Sequence, residues 1–236
     1  MTSRPQAART RKPPGERRAE ILHTAARIAL DEGLERITLR RVADELGVRP
    51  GLIGHYFPAA DDLVSEAFAH AAAQERDALL PPGAHEADRS PTVRLAGFLV
   101  RLTGADCLDL SRLWLNARHL SRFKPGLRAT VREQESLTRT ALTGLVEEGV
   151  RRGEFRTDDP LGATLHILVT VDGLAAYAND DIDDGHGDHG DHGDDEDGTG
   201  DRTSTDVDHP ALQDLALTVA EHRLGLTPGL LRAAAF

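Results

Sequence analysis

The chain has 236 residues, a formal charge of −11, 39% apolar residues, only 4% aromatics and a single cysteine, Cys107. These values exclude an internal disulfide framework and a multi-cysteine metal site, and they favour helix-on-helix packing of Leu, Ala and Val over a β-sandwich. The first 18 residues are Arg- and Pro-rich, and the longest uncharged apolar run, Leu161 to Val171, falls far short of the roughly 20 residues that span a bilayer. The expectation is a soluble protein of the reducing cytoplasm, with no required cofactor.

Charge is unevenly placed. Between Asp180 and Asp208 stand 13 acids against one base, Arg202, a local charge of −12 that leaves the remainder near neutral at +1. At the other end, Arg4, Arg9, Arg11, Lys12, Arg17 and Arg18 face only Glu16. A basic arm at one end points to an anionic partner there.

In chain order, residues 1–15 read as a disordered basic arm. From Glu16 to about Glu32, Ile21, Leu22, Ala25, Ile28 and Ala29 recur at helical spacing, and Gly33 is placed to end the helix. Thr38 is a good N-cap for a short helix, Leu39 to Leu46, that closes at Gly47. Pro50 suits the first position of a third helix reaching Tyr56. Asp61 and Asp62 favour the start of a fourth, which Pro81-Pro82 stop. Helices follow at about 91–103, 107–121 and 125–152, then from Asp159-Pro160 and, after the acidic block, from Pro210. No segment sustains period-2 alternation, so the expected fold class is all-α.

Two short helices joined through Gly47 have the dimensions of a helix-turn-helix, whose second helix enters the DNA major groove. Periodicity alone leaves an ordinary helical hairpin equally open. The residue pattern decides between them. The run Glu20-Ile21-Leu22, Ala25-Ala26, Gly33, Thr38-Leu39-Arg40-Arg41-Val42-Ala43, Leu46-Gly47-Val48, Gly51-Leu52-Ile53-Gly54-His55-Tyr56-Phe57-Pro58 and Asp62-Leu63 closely resembles the N-terminal domain of TetR-family repressors. Downstream, Trp114, Arg118, Leu127, Glu147-Glu148-Gly149, Arg152-Gly153-Glu154-Phe155 and Asp172-Gly173-Leu174 resemble the ligand-binding and dimerisation domain of the choline-responsive Bet branch.

The resemblance implies a helix-turn-helix domain over 16–60, a helical ligand-binding and dimerisation domain over 61–236, and an Asp/His/Gly-rich insertion over 180–208. It implies DNA contacts from Thr38, Arg40, Arg41, Arg49, Pro50, Gly51, Leu52, His55 and Tyr56, with Phe57 a core residue. The chain departs from the family pattern in three places. Arg49 replaces a small hydroxyl residue, Gly54 replaces an aromatic, and Ala59-Ala60 stand where a Lys is usual. In the larger domain, Phe98, Trp114, Asn116, His119, Gln134 and His166 are candidate ligand contacts, each with an ordinary core or surface role as its alternative. The implied partners are a double-stranded DNA operator, a second copy of the chain and a small-molecule effector. Dimerisation is expected through the helices at about 160–178 and 210–223, and the fourth helix, from Asp61 to Leu80, would carry the effector signal.

Enzymatic readings find no support. No phosphate loop, nucleophile elbow or zinc-protease helix is present, and no motif surrounds Cys107. The stretch from Gly185 to Asp197 repeats Gly-Asp-His units, and His186, His189 and His192 are candidate ligands for loosely held zinc or nickel. A solvated, unstructured insertion is the alternative reading.

Overall fold

A computed structural model describes residues 12–81, 83, 88–104, 107–180 and 209–235. Among the described residues, ten α-helices follow in order: α1 Pro14–Glu32, α2 Leu39–Leu46, α3 Pro50–Tyr56, α4 Ala60–Leu79, α5 Pro91–Leu102, α6 Leu108–Ser121, α7 Pro125–Arg151, α8 Pro160–Asp180, α9 His209–Arg223 and α10 Leu230–Ala234. A 3₁₀ turn, Leu34–Arg36, separates α1 from α2, and no strand occurs among the described residues. The all-α expectation holds.

Helix ends follow local backbone chemistry. Gly33, at φ 94°, ends α1, and Gly47, at φ 61° and ψ 38°, closes α2 in the left-handed region that a Cβ disfavours. The Arg41 amide donates to Thr38 Oγ1 at 3.0 Å, filling one of the free donors at the start of α2. Pro14, Pro50, Pro91 and Pro125 stand in the first turns of α1, α3, α5 and α7, where their missing N–H costs nothing. Asp159 caps α8 by accepting from the Gly162 amide at 2.8 Å. Because α1 begins at Pro14, the expected disordered arm of 1–15 is too long: Pro14 and Gly15 are helical, and Lys12 pairs with Glu20 at 2.7 Å. The 3₁₀ turn and α10 were not expected. Glu221, buried on α9, secures α10 by accepting from the amides of Gly229 (2.9 Å) and Leu231 (2.8 Å).

The helices enclose two apolar clusters. One joins α1–α3 to the first half of α4 and to α6 and α7, through Ile21, Val42, Ile53, Phe57, Phe68, Leu113 and Leu127. The other lies at the far end, around Leu95, Phe98, Leu142, Phe155, Ile167, Leu217 and Leu231. The first cluster runs past residue 60, so the short N-terminal helices are packed on the body rather than tethered to it. Phe155 lies so close to Gly149 that a Cβ there would overlap its ring, which explains the glycine in that motif. The neighbouring Glu148 pairs with Arg94 at 2.7 Å, and Glu154 accepts from the Thr92 amide and hydroxyl. Much of the Glu147–Phe155 motif is therefore a turn that locks α5 to α7.

The window Pro160–Tyr177 of α8 is long and apolar enough, by length and composition, to cross a membrane, with mean hydropathy 1.2. The uninterrupted uncharged run Leu161–Val171 within it is by itself too short for that. The helix packs against α6, α7 and α9, and its Asp172 is ion-paired to Arg118, so its exposed apolar side belongs to a bundle helix.

Candidate nucleic-acid interface and the cavity of the helical body

The α2–α3 pair presents its polar side outward. Arg40 is 86% exposed, with Asp44 at 3.8 Å, and Arg49, Pro50, Gly51 and His55 are exposed beside it. Leu52 and Tyr56 are half-buried, with the Tyr56 ring edge-on to His55 at 5.3 Å. The interior of the unit is Val42, Ala43, Ile53 and Phe57, the last covered by the Arg18 guanidinium 5.0 Å from its ring. Phe57 is a core residue, as expected. Gly54 lies in ordinary contact with Leu39, so the missing aromatic leaves the two helices close.

Arg41 stands apart from the other basic residues. Its guanidinium pairs with Glu32 on α1 and with Glu45 at 2.7 Å, and hydrogen bonds to both raise its pKa above the usual arginine range. The side chain thus ties α2 to α1, an allocation that its spacing in the sequence does not reveal. Thr38 acts through its cap. Of the expected basic contacts, Arg40, Arg49 and His55 are those left outward-facing, and Lys124 pairs with Asp61 at 2.7 Å, next to the position where the family's Lys is absent.

A cavity of about 250 Å³ lies in the body between α4, α5, α6, α7 and α8. Leu79, Phe98, Leu102, Leu168 and Val171 make its apolar wall. Its polar side is built around Trp114, whose Nε1–H donates to Glu75 Oε2 at 2.6 Å. The Arg118 guanidinium lies 5.5 Å from the Trp114 ring and is held by Glu135 at 3.0 Å and Asp172 at 2.8 Å. Burial pushes the Glu75 carboxyl above its ordinary value, and the Trp114 hydrogen bond only partly opposes this. Burial also works against the Arg118 charge, but Asp172 and Glu135 outweigh it and hold that group firmly protonated.

Of the six candidate ligand contacts, Phe98 and Trp114 line the cavity. Gln134 is buried behind it and accepts from Arg76 Nη1 at 2.9 Å, so it positions a lining residue. The other three do not line this cavity. Asn116 faces the opposite side of α6, where its Oδ1 accepts from the Leu34 amide at 3.0 Å and its Nδ2 donates to Glu35 at 2.7 Å. His119 is exposed and edge-on to Phe123, and His166 is exposed with its ring nitrogen on the Gly162 carbonyl at 2.6 Å. Helical spacing explains these misses: Asn116 and His119 lie on other faces of α6 than Trp114 and Arg118. Sequence reasoning missed Glu75 and Asp172 as cavity residues. Asp172 was detectable, because it is the sole acid within the apolar stretch Leu161–Tyr177. His186, His189 and His192 lie outside the described residues, and the described ones contain no cluster of three metal-ligating side chains.

Residues 21–67 match the family model of bacterial regulatory proteins of the tetR family, and residues 88–176 match that of the tetracyclin repressor-like C-terminal domain. The chain belongs to the TetR family of bacterial regulators. Among curated proteins, the HTH-type transcriptional repressor KstR2 of Mycolicibacterium smegmatis is 38% identical over 53 residues, covering 22% of this chain and 26% of that repressor. Among solved structures, a TetR-family regulator from Rhodococcus sp. superposes with a TM-score of 0.68 at 18% identity, over 89% of this chain and 99% of its own. A transcriptional regulator from Saccharomonospora viridis in complex with choline gives 0.61 at 20% identity, over 89% and 98%. At these identities the structures establish the shared fold.

Proposed function

We propose that the protein is a homodimeric transcriptional repressor, working in the cytoplasm, that reads a palindromic operator and is released by a small molecule held in the body cavity. The observation that carries the proposal is the double use of α6. Trp114 and Arg118 on this helix face the cavity, while Asn116 on its other side holds the Leu34 amide and Glu35 at the root of the reading head. A ligand that shifts α6 therefore acts on the head directly, in parallel with α4, which spans from Asp61 to Glu75 and Arg76 at the cavity. Couplings of this kind amount to about 1–3 kcal/mol, or 5- to 150-fold in affinity.

In this reading, Arg40 and His55 contact base edges or phosphates, Leu52 packs on a thymine methyl, and Tyr56 and Arg49 bind phosphate. Pro50 and Gly51 let the backbone of α3 approach the groove, and Thr38 acts as a cap near the DNA backbone. A short recognition helix reads only a half-site, so two copies are required. The exposed apolar residues Leu161, Leu165, Val169 and Tyr177 on α8 and Leu215 on α9 supply the pairing face, in the manner of a four-helix interface. Leu165 and Val169 also line the cavity, so pairing and ligand share a wall. The Bet-branch resemblance and the choline-bound relative make small cations the first effectors to test, against the Trp114 ring and its neighbouring carboxylates.

Gel shift against the DNA upstream of the protein's own coding sequence tests the proposal. A retarded band is expected from a dimer, and it should be lost in Arg40→Ala/His55→Ala while the variant stays folded. A monomer at micromolar concentration, or no retardation, rejects it. For the coupling, Asn116→Ala should leave Trp114 emission unresponsive to operator DNA, whereas the wild-type emission should change on binding.

A further inference from the structure

A second concavity, of about 390 Å³, lies on the outside of the α6–α7 turn. Arg118, Arg122, Arg128 and Arg132 line it, with Glu135 as its single acid. Glu135 is already engaged by Arg118, which Asp172 also holds. Arg128 spends part of its guanidinium on the carbonyls of Ser121 (3.0 Å) and Arg122 (2.7 Å), and the side chains of Arg122 and Arg132 have no hydrogen-bond or ion-pair partner among the described residues. Arg128 and Arg132 are also four residues apart on α7, a repulsive spacing for like charges. Several arginines elsewhere meet carboxylates directly, as at Arg41 with Glu32 and Glu45 and Arg94 with Glu148. Converging guanidinium groups in a concave surface, three of them (Arg122, Arg128 and Arg132) without a carboxylate partner among the described residues, form a receptor for a multiply charged oxyanion, whose oxygens match the planar donor fork.

We propose that this groove binds the phosphate group of a phosphate-bearing small molecule. The groove shares only Arg118 and Glu135 with the body cavity. An anion seated there competes with Glu135 and Asp172 for Arg118, and so shifts the guanidinium that lies over the Trp114 ring. The occupied groove is thereby signalled into the cavity. The site stands on its own geometry, independent of the DNA-binding reading.

Inorganic pyrophosphate is the probe, titrated into the full chain at constant ionic strength. Calorimetry follows binding and the emission of Trp114, the sole tryptophan, follows the coupling. Saturable binding with an emission change is expected, and Arg122→Ala/Arg132→Ala, which alters two exposed side chains, should weaken it by about tenfold or more. Circular dichroism should show that variant to be folded. Non-saturable binding, or equal affinity in the double variant, overturns the proposal. Binding without any emission change overturns the link to Arg118. Loss of DNA affinity in the double variant, with no pyrophosphate binding by the wild type, assigns these arginines to DNA phosphates and likewise overturns the proposal.

Discussion

The reading head and the body cavity are built by opposite strategies. The head is assembled from neighbours in sequence: its cap, turn and helix start, Thr38, Gly47 and Pro50, fall within 13 residues, and its outward basic groups lie between them and Tyr56. The cavity is assembled from five helices, and its central pair, Trp114 and Glu75, is 39 residues apart. Local construction makes the head's geometry a matter of backbone chemistry, which each residue enforces alone. Remote construction makes the cavity depend on packing, so its polar groups are held by one another across helices. The two regions then respond differently to substitution.

The largest expected effect breaks the comparison at a place where the head is not local. Phe57 is 1% exposed and joins the head to the shared apolar cluster. Phe57→Ala should cost about 3–5 kcal/mol by removing a buried ring and leaving a void. Urea unfolding should show a lower midpoint for the whole chain, not a separate transition for the head. Two resolved transitions would mean that head and body fold independently.

Outward side chains of the head should affect DNA and leave stability alone. Arg40→Ala and His55→Ala should each weaken operator binding by about 1–3 kcal/mol and change base preference, with thermal midpoints nearly unchanged. Arg41→Ala makes the contrasting case, since its pairs with Glu32 and Glu45 tie α2 to α1. It should lower the thermal midpoint more than either of the other two. Equal behaviour of Arg40→Ala and Arg41→Ala in both assays would contradict the division between them.

A smaller loss follows from the local cap. Thr38→Ala leaves the Arg41 amide without its acceptor and should cost about 1 kcal/mol, measured by denaturant unfolding. Thr38→Ser should recover most of it.

The finest prediction separates the cavity by its pH response. Burial raises the Glu75 pKa above its ordinary 4.5, so the folded state binds this proton more readily than the unfolded one. Stability contributed by that group therefore falls as pH rises from 4.5 through the raised value, and is regained on acidification. Glu75→Gln keeps an oxygen for the Trp114 N–H and removes the titration. The variant should lose this part of the pH slope, and Trp114 emission should become flat over the same interval. An unchanged slope and emission profile would show that Glu75 does not titrate there.

Sequence alone was enough for the helical class, the helix starts at Pro50, Pro91 and Pro125, and the stops at Gly33 and Gly47. Each rests on short-range physics: proline lacks an N–H, glycine tolerates positive φ, and a helix repeats every 3.6 residues. Tertiary structure alone decided which polar groups meet. Arg40 and Arg41 are adjacent in sequence, yet one faces solvent and the other joins α1, because a helix turns about 100° per residue and only one of the two points at Glu32. Trp114 and Asn116 divide in the same way, one toward Glu75 and the cavity, the other toward Leu34 and the head. A side chain's partner across 39 or 82 residues depends on how whole helices stack, and that stacking is set by the summed burial of many apolar groups rather than by any residue near the site.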